Sequence, residues 1–93
     1  MQVGTLEIYL DLGALCSLKE KRGVIKGLLQ RIRQRFEVAA AEVGEQDAIR
    51  SAGLGFSVVG NDASVLQSRL QKIVNFIEMD GTVVIVDFRV DIL

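Results

Sequence analysis

The sequence predicts an α+β protein, a two-layer sandwich with two helices on one face of a four-stranded antiparallel sheet. Three observations carry this. Apolar residues recur at every second position in three stretches and, in a fourth, recur so or form a short apolar run, they recur at spacings of three and four in two others, and the segments run in the order β-α-β-β-α-β. Strands with one apolar face and helices with one apolar stripe can hide both only by stacking in two layers. That order is the split β-α-β, or ferredoxin-like, arrangement, with the first and third strands expected at the centre of the sheet.

The first strand covers residues 2–12, where Leu6, Ile8, Leu10 and Leu12 alternate with Thr5, Glu7, Tyr9 and Asp11, and Gly13 ends it. A helix then starts at Ser17, which with Glu20 three positions on makes a capping-box signature, and it continues to Arg35. Its apolar stripe is Leu18, Ile25, Leu28, Leu29, Ile32 and Phe36. A second strand is expected over residues 36–43, an acidic turn over 44–47, and a third strand over 50–59. In that third strand Ala52, Leu54, Phe56 and Val58 alternate with Ser51, Gly53, Gly55 and Ser57. Asn61 and Asp62 are N-cap residues for a second helix, Leu66, Leu70, Ile73, Val74 and Ile77 form its stripe, and Gly81 stops it. Residues 82–93 read as a fourth strand, with Val84, Val86, Phe88, Val90 and Ile92 facing in and Asp87, Arg89 and Asp91 facing out.

Ninety-three residues without proline or a low-complexity run make one domain, residues 1–93, and 49% apolar content is enough for a core. A single cysteine, Cys16, cannot form an internal disulfide, and its expected role is a small apolar filler beside Leu15. The first residues lack the basic and apolar regions of a secretion signal, and the longest run without charge, 51–61, is too short to span a membrane, so the expected location is the cytoplasm. The chain contains no histidine, which removes Ser-His-Asp and Cys-His catalysis. The glycines at 53, 55 and 60 fit neither a dinucleotide fingerprint nor a phosphate-binding loop. Glu7, Asp11, Asp87 and Asp91 share one sheet face, but Arg89 among them is a simpler partner than a metal. The expectation is a protein that is not an enzyme, with no cofactor, no metal and no evident small-molecule substrate.

Charge is where the chain becomes unusual. Residues 17–35 hold seven of the eleven basic side chains and one acid, a formal +6, while the rest of the chain carries −7. Lys19, Arg22, Lys26 and Arg33 fall within roughly 60° of one another on a flank of the apolar stripe. Arg31, Arg33 and Arg35 suit a helix C-terminus, but Lys19, Lys21 and Arg22 oppose the macrodipole at its N-terminus, at about 0.3–1 kcal/mol each when exposed. Stability alone would not select cations there. Lys19, Lys21, Arg22, Lys26 and Arg33 are therefore the candidate nucleic-acid-binding residues, directed at phosphate backbone, with docking of an acidic protein surface and a plainly solvated helix face as the alternatives.

The outer sheet face argues against base stacking. RNA-recognition-motif proteins share this element order and stack bases on aromatics of the first and third strands, where this chain offers Ser51, Gly53, Gly55 and Ser57 and the lone aromatic Tyr9. Those four small residues are instead candidates for an interface with a partner element or a second copy of the chain, their bland reading being glycines that accommodate twist or a bulge.

Ser17-Leu18-Lys19-Glu20-Lys21-Arg22, Arg31-Ile32-Arg33-Gln34-Arg35-Phe36, Ala41-Glu42-Val43, Gln46-Asp47, Leu54-Gly55, Asn61-Asp62 and Phe76-Ile77-Glu78 together resemble the pattern of the YlxP-like family of small bacterial proteins. The resemblance spans essentially the whole chain. It implies a ferredoxin-like fold and an unknown function, and its members are often encoded near genes for translation initiation and ribosome maturation. An aromatic residue is common in that pattern where this chain has Ile49, and a basic one where it has Ser51, so the chain departs from the pattern around the loop before the third strand. The two functional expectations are an accessory protein that binds structured RNA, such as ribosomal RNA, and a homo-oligomer or protein-interaction module.

Overall fold

The computed structural model describes residues 1–14 and 17–93, so the expectations for Leu15 and Cys16 lie outside the described residues. Its elements are β1 (Gln2–Asp11), α1 (Leu18–Arg35), β2 (Ala39–Gly44), β3 (Ser51–Gly60), α2 (Ala63–Asp80) and β4 (Val84–Ile92). Every strand pairing is antiparallel, and the sheet order is β2-β3-β1-β4. This is the ferredoxin-like α+β fold, with β1 and β3 central.

One core joins the layers. Leu6, Ile8 and Leu10 of β1 and Ala52, Leu54, Phe56 and Val58 of β3 are buried with Ile25, Leu28, Leu29 and Ile32 of α1 and Leu66, Leu70, Ile73, Val74 and Ile77 of α2. Burying each large aliphatic side chain contributes about 1.5–3 kcal/mol, which makes this cluster the main source of stability.

Both helices begin and end as their caps dictate. The Ser17 hydroxyl accepts from the Glu20 N–H at 3.1 Å, and Asp62 accepts from the Ser64 N–H at 2.9 Å. Gly81 ends α2 with φ 75°, a left-handed conformation open to glycine at little cost.

Two strands depart from expectation. β2 begins at Ala39, because Phe36 caps α1 and its N–H donates to the Ile32 carbonyl at 2.8 Å. β4 changes faces midway. Opposite β1 its register steps between Tyr9, which pairs with Asp87, and Leu10, which pairs with Ile85. The extra residue, Val86, is a bulge. As a result Val83 is buried and Ile85 packs against the core, whereas Val84 and Val86, expected inside, are 65% and 68% exposed.

Candidate nucleic-acid interface

Five basic side chains of α1 were expected to act together, and the fold divides them. Lys19, Arg22, Lys26 and Arg33 lie on the exposed flank. Lys21 does not. It is 1% exposed, and its ammonium donates to the carbonyls of Glu45 and of Ala48, the latter at 2.7 Å. The Glu42 carboxylate completes its surroundings with an ion pair at 3.1 Å, without hydrogen-bond alignment at that oxygen. Lys21 is thus removed from the candidate interface. Its place on the helix wheel already put it there, since at 100° per residue it falls between Leu28 and Ile32, inside the apolar stripe.

This arrangement also accounts for one cation near the positive end of α1. The acidic hairpin between β2 and β3 lies beneath the first turns of the helix, and Lys21 staples the two together. Burial of a charge is tolerable only when it is paired and hydrogen-bonded, and here one carboxylate and two carbonyls meet that demand.

Arg33 donates to the Ala40 carbonyl of β2 while remaining exposed, so its charge still adds to the flank. On the opposite side of α1, Arg31 forms a two-pronged pair with Asp80 of α2, Nε to Oδ1 at 3.2 Å and Nη2 to Oδ2 at 2.9 Å. That pair and a hydrogen bond from the Thr82 hydroxyl hold the Asp80 carboxyl below its ordinary value, the Thr82 bond being the larger influence. What remains open to solvent on the flank is Lys19, Arg22 and Lys26, followed by Arg33. The line is about 21 Å long at 1.5 Å per residue. Among the described residues, no carboxylate forms an ion pair with any of the four.

The small residues of β3 lie on the outer face as their register requires, opposite Asp11, Tyr9, Glu7 and Thr5 in turn. Side chains of the same molecule already occupy the space above the two glycines. A Cβ at Gly53 would stand 3.0 Å from the Tyr9 ring and 3.1 Å from the Gly44 Cα, and one at Gly55 would stand 2.9 Å from a Val43 methyl. Close packing inside the chain therefore explains both glycines. The same face carries exposed Val43, Val59, Val84 and Val86 beside a polar cluster in which Arg89 bridges Glu7 at 3.2 Å and Asp91 at 3.0 Å.

No described helix is long and apolar enough to cross a membrane. The architecture is that of a small α+β sandwich carrying a line of cations on its first helix. A family model described as "Protein of unknown function (DUF503)" matches residues 3–90, and the chain belongs to that family. It is similar to the "Uncharacterized protein YlxP" of Bacillus subtilis (strain 168), with 36% identity over 62 residues, 67% of either chain.

Proposed function

We propose that this protein is a non-enzymatic, cytoplasmic accessory factor that binds the phosphate backbone of structured RNA. One observation carries the reading: Lys19, Arg22, Lys26 and Arg33 present an exposed line of positive charge on a molecule whose other residues carry a net negative charge, seven basic against twelve acidic. Phosphate contacts from long, mobile side chains read charge and shape, so binding is weak, insensitive to sequence and strongly dependent on salt. The acidic outer face of the sheet orients the molecule by repelling the same backbone.

The test is titration of a fluorescent RNA hairpin at several salt concentrations, with the parent and a Lys19→Glu, Arg22→Glu, Lys26→Glu variant. Three or four phosphate contacts give a log–log salt slope near −3, at roughly −0.9 per contact. The triple variant is expected to lose binding. Unchanged affinity in that variant, or no binding by the parent at low salt, refutes the proposal.

A further inference from the structure

We propose a second ligand site, on the other side of α1, that takes a small aromatic phosphate such as a mononucleotide. Where α1 ends beside α2, an open cleft of about 420 Å³ is lined by Arg35, Phe36, Lys72, Phe76, Met79 and Asp80, with Asn75 beside them. That volume lies within the range of small-molecule sites, about 300–1,000 Å³.

The floor of the cleft is aromatic. The rings of Phe36 and Phe76 meet edge to face, with centroids 5.8 Å apart and an interplanar angle of 85°. Only their inner sides reach the core, and both stay partly exposed. Next to them Met79 is 89% exposed, a flexible and polarizable side chain that adapts to a flat ring. Phe76 and Met79 lie one helical turn apart and so share a face of α2 with Lys72.

The rim is cationic. The Arg35 guanidinium lies 5.5 Å from the Phe76 centroid and 5.9 Å from that of Phe36. This cation–π contact holds the guanidinium near the aromatic floor, and the exposed side chain leaves its N–H groups open to an anion. Lys72 supplies a second positive charge, and Arg69, in the adjoining cleft that shares Arg35, Phe36 and Lys72, supplies a third. Arg69 also donates to the Glu37 carbonyl at 2.8 Å, which fixes its position. The one carboxylate in the first cleft, Asp80, is committed to Arg31 and Thr82. An aromatic floor beneath a positive rim matches a ligand that carries a ring and a phosphate together. An uncharged ring lacks a partner for Arg35 and Lys72, and inorganic phosphate leaves the floor uncovered.

This site is independent of the phosphate-backbone reading, since it uses none of Lys19, Arg22, Lys26 and Arg33. The experiment is NMR titration of the full chain with adenosine monophosphate, with adenosine and with inorganic phosphate. Adenosine monophosphate is expected to bind with Kd of about 0.1–1 mM, as befits a shallow site, and to shift the amides around Phe36, Lys72, Phe76 and Met79. Adenosine and phosphate should each bind at least tenfold more weakly. Arg35→Gln and Lys72→Gln should each weaken the nucleotide severalfold. Phe76→Leu, which keeps an apolar side chain and removes the ring, should do likewise, with the amide spectrum reporting that each variant is folded. The Lys19→Glu, Arg22→Glu, Lys26→Glu variant should bind the nucleotide as the parent does. A 5′-phosphorylated tetranucleotide that binds the cleft more tightly than the monophosphate identifies RNA ends as the source, and weaker binding identifies free nucleotides. Absence of binding at 5 mM, shifts confined to the Lys19 to Arg33 flank, or indifference to both Arg35→Gln and Lys72→Gln would overturn the proposal.

Discussion

Replacing Lys21 with Met separates the two kinds of lysine on α1. Methionine keeps most of the apolar stem and removes the ammonium, so the change isolates charge and hydrogen bonding from packing. The loss starts from two charge-assisted hydrogen bonds, to Glu45 and Ala48, and one ion pair at 3.1 Å to Glu42. Removing one partner from a fully buried pair costs about 3–5 kcal/mol. Two features reduce that here. The Glu42 side chain is 22% exposed and can draw in water, and the Glu45 carbonyl keeps the Ala48 N–H at 3.1 Å. The expected destabilisation is therefore about 2–4 kcal/mol, which at roughly 4–8 °C per kcal/mol for a domain of this size lowers Tm by about 8–32 °C. Urea and thermal unfolding followed by circular dichroism measure it, with exposed Lys19→Met as a control expected within about 0.5 kcal/mol of the parent. Adding Glu42→Leu to Lys21→Met should restore part of the loss, because the orphaned carboxylate goes with its partner. A single-variant loss below about 1 kcal/mol, or a double variant worse than the two changes summed, would refute the staple. RNA affinity of folded Lys21→Met should equal that of the parent.

Gly53→Ala should destabilise the protein by about 1–3 kcal/mol, since the new Cβ meets the Gly44 backbone at 3.1 Å and backbone cannot rotate aside; urea unfolding checks it. Glu45 adopts φ 60° within the β2 to β3 turn, so Glu45→Gly should stabilise by about 0.5–1 kcal/mol in the same assay by removing the left-handed penalty. Acid should weaken the fold through Asp80, whose carboxyl lies below its ordinary 3.8 because of Thr82 and Arg31. A lowered folded value means that the unfolded chain takes up the proton first, so this contribution is complete above about pH 5 and is lost as pH falls past 3.8 and through the folded value. Unfolding free energies from pH 6 to 3 should accordingly fall less steeply in Asp80→Asn than in the parent.

Local chemistry was enough to reveal most of the fold. Alternation and helical spacing are properties of neighbouring residues, and the caps at Ser17, Asp62 and Gly81 act over one turn, so elements, order and the central strands could all be read from the chain. β4 departs from simple alternation because a bulge is decided by the partner strand: with Val83, Val84, Ile85 and Val86 in sequence, either alternation is apolar, and only pairing with β1 chooses between them. Phe36 likewise stays with α1, where its N–H closes the last turn on the Ile32 carbonyl and its ring meets that of Phe76, forty positions away.

The candidate site divides along the same line. The cationic flank is a consequence of helix geometry, so Lys19, Arg22, Lys26 and Arg33 could be assembled on a wheel before any tertiary contact was known. Whether a charge on that helix meets water or protein depends on what packs against it. The β2 to β3 hairpin, distant in sequence, closes over Lys21, and α2 brings Phe76 and Lys72 beside Arg35. Sequence set the elements and their charge, because both are written in spacings of two to four residues. Tertiary structure decided which charges are buried and which clefts exist, because those depend on contacts between residues far apart along the chain.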